Sequence, residues 1–223
     1  MDETLPSPTQ QRHSPLIGLP LLLFVATCWT TYKVGGAEYS IALLTILVAH
    51  EMGHFLQARR YGVPASLPFF IPIPAEPIGT MGAVIAMQPG IGDRKAIFDI
   101  AITGPLAGLV FALAFSVYGL QSAHVVEAAN AAGMRKLGEP LLFQWLASIV
   151  IGPLPETKDI ALGPAAYAGW VGIFITALNL FPIGQLDGGH ILYALLRERA
   201  HPVSQLVLIG AAAGVVIGGY WGW

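Results

Sequence analysis

The chain is short of charge, of cysteine and of long polar stretches, and each shortage closes off a class of explanation. Only 11% of its 223 residues are charged, against about 25% in an ordinary soluble domain. Hydrophobic residues make up 55%, and the mean hydropathy is +0.65. This balance excludes a soluble globular enzyme. Cys28 is the single cysteine, so an internal disulfide and a cysteine-rich zinc site are both excluded. Net charge is −2, and basic residues occur only as short pairs, so no direct contact with nucleic acid is expected.

What the chain does have is apolar length. Five stretches, 16–32, 40–59, 96–120, 164–196 and 202–221, are long and apolar enough to span a bilayer, each span needing about 20 residues. The expected fold is an α-helical polytopic membrane protein of about five to six transmembrane helices. No segment between the spans is long enough for an appended soluble domain of ordinary size. Residues 1–15 carry Pro6, Pro8 and Pro15 and read as a disordered cytoplasmic tail, with 16–223 as one domain. The start is acidic, with Asp2 and Glu3, and lacks a small-x-small cleavage site, so an uncleaved anchor is expected in place of a signal peptide. If the spans alternate, Arg12, Arg59, Arg60, Arg94, Lys95, Arg197 and Arg199 share one side. Lys33, Arg135, Lys136 and Lys158 share the other, and seven against four accounts for all 11 basic residues. This asymmetry favours a cytoplasmic N-terminus.

Within the second span lies His50-Glu51-Met52-Gly53-His54. On a helix the two histidines fall one turn apart on one face and can hold a single metal ion, while Glu51 is the base for water activated by it. Residues 41–49 before it carry no charge, and ionisable groups at membrane depth are costly and usually functional. His50 precedes Arg59 by nine residues, which puts the motif about 8 to 14 Å below the cytoplasmic edge. Two histidines and a water leave zinc one protein ligand short. Asp187 is the only carboxylate of the fourth span and precedes Arg197 by ten residues, so it lies at a similar depth. It could instead cap a helix starting at Gly188. His190, one turn on, is the rival ligand, better suited to a supporting position in a polar cavity.

The connection after the second span is apolar yet broken by proline through Val63-Pro-Ala-Ser-Leu-Pro68, and Gly79-Thr80-Met81-Gly82-Ala83-Val84-Ile85-Ala86-Met87 reads as a short strand. Apolar backbone that cannot be helical must pair with itself or face a cavity. A β-hairpin dipping into the membrane from the cytoplasmic side is expected. Gly104-Pro105 predicts a kink in the third span. Residues 141–151, bounded by Pro140 and Pro153, are too short to cross and read as an interfacial or re-entrant helix. The glycine- and alanine-rich last span suits close helix packing.

The pairing of His50-Glu51-x-x-His54 with Asn179-x-x-Pro182-x-x-x-Leu186-Asp187-Gly188 resembles the site-2 protease family of intramembrane zinc metalloproteases. Gly79-Thr-Met-Gly-Ala-Val-Ile85, Phe98-Asp-Ile-Ala101 and Gly104-Pro-Leu-Ala-Gly108 are also similar to that family, especially its compact prokaryotic and plastid branch. The likeness covers about 40–196. It implies one zinc held by His50, His54 and Asp187, with Glu51 catalytic and Asn179 a polar group near the scissile carbonyl. It implies membrane-tethered protein substrates cut in or beside a transmembrane segment. Gly79, Thr80, Met81, Gly82, Ala83, Val84 and Ile85 would bind the unwound substrate by strand addition. Relatives that carry PDZ or CBS domains differ from this chain, and six-span relatives have one helix more. A divalent-metal transporter would also place His and Asp at mid-membrane but has no need of Glu51. An inert scaffold of the same fold would be expected to have lost a ligand or that glutamate.

Overall fold

The computed structural model describes residues 18–74, 77–87, 93–127, 138, 140–155 and 157–217; the expected 1–15 tail lies outside them. The elements in order are α1 (Gly18–Arg60), β1 (Phe69–Pro72), β2 (Thr80–Val84), α2 (Arg94–Gln121), β3 (His124–Glu127), α3 (Leu141–Val150), β4 (Lys158–Ala161), α4 (Pro164–Asn179), α5 (Asp187–Leu196) and α6 (Ala200–Ile217). Among the described residues three stretches, Gly18–Arg60, Arg94–Gln121 and Asp187–Ile217, are long and apolar enough to cross a membrane by length and composition.

The first of these is bent back on itself. Backbone angles leave the helical region at Gly35 (φ −140°, ψ 15°) and Gly36 (φ 75°, ψ −170°), the second a conformation that glycine adopts freely. Ser40 Oγ then lies 2.7 Å from Thr31 Oγ1 and donates to Cys28 O at 3.3 Å. Twelve residues of straight helix would separate Cys28 from Ser40 by about 18 Å. The two arms therefore run side by side, matching the expected runs 16–32 and 40–59.

The expected run 164–196 is, by contrast, two helices. It breaks between Asn179 and Asp187, where Pro182 lacks an amide donor and Gly184 has φ 55°. Pro105 does not interrupt α2, which stays helical from Arg94 to Gln121. The pairing of β3 with β4, antiparallel with His124 opposite Ala161 and Glu127 opposite Lys158, brackets α3 and was not legible in the sequence. The last helix, α6, does not pack closely as its small residues suggested. Its residues after Ala200 are exposed or half-buried, and Gly210 and Gly214 have open space around them.

The core sits between the second arm of α1, α2 and α4, where Tyr39, Leu43, Ile46, Leu120 and Val171 are buried. Small residues set its spacing. A Cβ on Gly169 would lie 2.3 Å from Ser116 Oγ, and one on Gly119 would lie 2.1 Å from Ala166 N. Backbones this close gain dispersion contact that lipid cannot replace.

The β1–β2 hairpin is antiparallel, with Phe69 opposite Val84, Phe70 opposite Ala83, and a bulge before Pro72 opposite Thr80. It extends far along the second arm of α1. Near its base Val63 N donates to Ala58 O at 2.9 Å. At its tip the hydroxyls of Tyr39 and Tyr167 donate to Ile78 O (2.8 Å) and Pro77 O (2.9 Å). Ala58 and Tyr39 are 19 residues apart on one helical arm, about 28 Å, so the hairpin runs nearly the length of that arm and passes the depth of His50 on its way. Phe70 is edge-on to Phe24, with ring centroids 5.0 Å apart, which seats the hairpin against the first arm as well.

Candidate metal centre

Helical spacing in α1 puts His50 and His54 on one face, with ring centroids 4.9 Å apart and planes at 70°. Both are buried, as is Glu51. The break at 180–186 lets α5 start at Asp187, and its carboxylate meets both rings. His50 Nε2 and His54 Nε2 lie 3.2 Å and 3.3 Å from Asp187 Oδ2, and 3.2 Å from each other.

This near-equilateral triangle of ligand atoms fits a metal. A tetrahedral zinc with bonds of about 2.0–2.1 Å keeps its ligand atoms about 3.3–3.4 Å apart. The donor chemistry agrees. His54 Nδ1 donates to the buried carbonyl of Ile100 at 2.7 Å, which leaves the Nε2 lone pair facing the triangle and gives the outer support that a ligating histidine needs. With a carboxylate oxygen at the third corner, electron-rich atoms converge where a cation relieves their repulsion.

Asp187 does not cap α5. Leu186 is the cap residue, no side-chain cap bond forms, and Oδ2 faces the histidines instead. His190 is exposed, with Nδ1 3.0 Å from Leu186 O, and stands outside the triangle. Asn179, the last residue of α4, brings Nδ2 to 3.3 Å from His50 Nε2. The Glu51 carboxylate is close enough to His50, His54 and Asp187 to interact electrostatically with all three. Gly79, Thr80, Met81, Gly82, Ala83, Val84 and Ile85 lie on or beside β2; among the described residues no hydrogen bond or ion pair joins them to the histidines or Asp187.

Sequence reasoning missed the part played by α2. A Cβ on Gly104 would fall 2.1 Å from His54 Nε2, and one on Gly108 would fall 3.1 Å from His50 Cβ. A Cβ on Gly53 would fall 2.6 Å from Thr103 O. The four-residue spacing of Gly104 and Gly108, one helical turn, was the available signal. Just outside the span, Tyr61 donates its hydroxyl to Asp99 Oδ2 in a short hydrogen bond. That bond to Asp99 raises the phenol above its ordinary range, so Tyr61 stays a neutral donor and ties the end of α1 to the turn of α2 that holds Ile100.

A buried site of two histidines one helical turn apart and a carboxylate from a second apolar helix, in a helical fold with membrane-length helices, is a candidate metal centre. Residues 38–217 match the model of Peptidase family M50. The chain belongs to that family, the site-2 proteases. It is 36% identical over 159 residues to the probable zinc metalloprotease EGY1, chloroplastic, of Oryza sativa subsp. japonica, covering 67% of this chain and 26% of that protein. To the probable zinc metalloprotease EGY2, chloroplastic, of Arabidopsis thaliana it is 32% identical over 161 residues, 69% of this chain and 28% of that one. To EGY1, chloroplastic, of Arabidopsis thaliana it is 31% identical over 185 residues, 79% and 32%. The chain thus spans about a quarter to a third of the length of these relatives. No solved structure matches it.

Proposed function

We propose that this chain is the catalytic unit of an intramembrane zinc metalloprotease, hydrolysing peptide bonds in or beside transmembrane segments of membrane-tethered proteins. The observation that carries the reading is the triangle of His50 Nε2, His54 Nε2 and Asp187 Oδ2 with edges of 3.2, 3.2 and 3.3 Å. Zinc, when bound there, supplies Lewis-acid activation of water and of the scissile carbonyl. Glu51 takes the proton from the attacking water and later gives it to the leaving amine. The Asn179 amide, at the rim of the triangle, donates to the developing oxyanion. Metal transport needs no base beside the ligands, and Glu51 has no role in it.

In the membrane the two arms of α1, α2, the α4–α5 pair and α6 make five crossings, with the N-terminus cytoplasmic. The fold supports this sidedness. Arg94 reaches the carbonyls of Ala194 and Leu195 and Tyr61 reaches Asp99, so Arg59, Arg60, Arg94, Lys95, Arg197 and Arg199 gather at one end. The metal centre is nearer that end.

The test is cleavage of a labelled transmembrane substrate in liposomes. Chelation should abolish it and one equivalent of zinc per chain restore it, while Asp187→Ala should bind zinc weakly and stay inactive. Cleavage indifferent to chelation, or zinc crossing sealed vesicles through the protein, would overturn the reading. Full zinc in Asp187→Ala together with its loss in His190→Ala would move the third ligand.

A substrate helix hides its carbonyls in its own hydrogen bonds, so the scissile stretch must unwind before attack. Among the described residues no strand covers the outer edge of β2, and an unwound chain has backbone groups complementary to that edge, so pairing would satisfy both. Ala86 turns both its groups towards the hairpin partner, with its N–H to Ser66 Oγ (3.0 Å) and its carbonyl accepting from Ser66 N (2.9 Å). Amides alternate along an extended chain, so those of Ile85 and Ala83 face the open side. Proline substitution at Ala83 or Ile85 should cut cleavage with zinc content unchanged, whereas at Val84 or Ala86 it should disturb the hairpin itself. Equal loss at all four positions, or zinc lost along with activity, would remove the case for strand addition.

A further inference from the structure

Asp187 is carried by α5, a short helix whose main helical neighbour is α2. α5 packs on α2 and on the turn and α6 that follow it; Asp187 at its start reaches the two histidines of α1, but the body of the helix packs little on α1 or α4. α6 is itself largely exposed, so it offers no buttress. At its start α5 is seated tightly on the preceding loop: a Cβ on Gly188 would lie 2.1 Å from Leu180 O, and one on Gly189 would lie 2.4 Å from Gly184 O. At its far end the carbonyls of Ala194 and Leu195 lie in the last turn, where a helix has no amides of its own left to offer. Arg94, the first residue of α2, supplies them. Its Nε donates to Ala194 O at 2.8 Å, and its Nη2 donates to Ala194 O at 2.5 Å and to Leu195 O at 3.0 Å. A guanidinium fork on helix-end carbonyls fixes direction as well as distance, and its charge suits the negative end of the helix dipole.

We propose that Arg94 is a positioning residue that sets the axial register of α5 and thereby the place of Asp187 in the metal centre. Helix geometry supports the assignment. From Arg94 to Ile100, whose carbonyl orients His54, is six residues of α2, about 9 Å of rise; from Ala194 back to Asp187 is seven residues of α5, about 10 Å. The two helices leave the same clamp and deliver their groups to the same depth. α2 therefore serves as a common ruler for the histidine half and the carboxylate half of the site. A slip of one residue would shift Asp187 by about 1.5 Å and turn it by about 100°, enough to break a triangle whose edges are about 3 Å.

This inference rests on the metal-site reading above, and its test separates the two. Zinc affinity is measured by chelator competition on the full chain in detergent, with helicity and melting followed in parallel. Arg94→Ala should lower affinity by about 10- to 100-fold, the scale on which groups that orient metal ligands act, while the chain stays helical. Arg94→Lys, which keeps the charge but not the fork, should recover part of the loss. In an Asp187→Ala background, Arg94→Ala should change affinity by less than about twofold, because the ligand it positions is gone. Equal losses in both backgrounds would mean that Arg94 supports the fold in general, and unchanged affinity in Arg94→Ala would overturn its role outright. Failure of the wild type to bind zinc would count against the metalloprotease reading itself.

Discussion

Glu51→Gln should keep its zinc and lose at least about a hundredfold in cleavage rate, the scale expected when a general base is removed. The two expectations come from different features of one helix turn. The histidines at positions 50 and 54 point one way because 3.6 residues make a turn, and they meet Asp187 without any help from residue 51. Glutamine is nearly isosteric with glutamate and leaves that triangle alone. What it removes is, among the described residues, the only buried carboxylate beside the ligands that is not itself a ligand. A carboxylate can accept the proton of the attacking water; an amide cannot accept one at all. Zinc content by elemental analysis and single-turnover cleavage of the same preparation check both halves. Near-normal cleavage by the Gln variant would sink the mechanism, and loss of zinc would make Glu51 a ligand and not a base.

The parts of this molecule that were legible in the sequence are those written as local patterns. The i, i+4 histidines, the proline-broken apolar stretch that becomes β1 and β2, and the uncharged runs that become α1, α2 and α6 each obey a period or a composition. Asp187 was legible as the only carboxylate of the fourth span, at a depth matching that of the histidines. The break between α4 and α5 was not read, although Pro182 and Gly184 mark it, because hydropathy alone runs straight through residues 164–196. The sheet of β3 with β4 was hidden by length: four residues a side, separated by thirty, leave no period to detect. The mooring of the hairpin tip by Tyr39 and Tyr167, and the clamp of Arg94 on Ala194 of α5, are contacts between residues 39, 90 and 100 positions apart. Each is a polar side chain reaching a backbone carbonyl, and a carbonyl carries no sequence signal.

The second large effect is expected at Gly104, a residue with no chemistry of its own. Gly104→Ala should abolish tight zinc binding, because the new methyl carbon would stand 2.1 Å from His54 Nε2 and 2.4 Å from two ring carbons. A clash of that size is relieved only if something moves. The ring cannot swing freely, since Nδ1 is bonded to Ile100 O at 2.7 Å and Nε2 forms one corner of the triangle. The helices cannot part cheaply either, because Gly53 already faces Thr103 O so closely that a Cβ there would fall at 2.6 Å. Overpacking of a dense interior costs about 1–3 kcal/mol, and here that cost falls on a metal ligand. Gly108→Ala provides the graded control. Its Cβ would meet His50 Cβ at 3.1 Å and Nδ1 at 3.2 Å, a contact that a shift of a few tenths of an ångström relieves, so zinc should be weakened but retained. Gly210→Ala, with nothing within 4 Å, should bind zinc as the wild type does. The measurement is zinc affinity across the three variants, with melting temperature alongside. The order Gly104, Gly108, Gly210 in falling severity is what close passage of α2 over the histidines requires. Tight zinc binding in Gly104→Ala would mean that α2 does not shape the site.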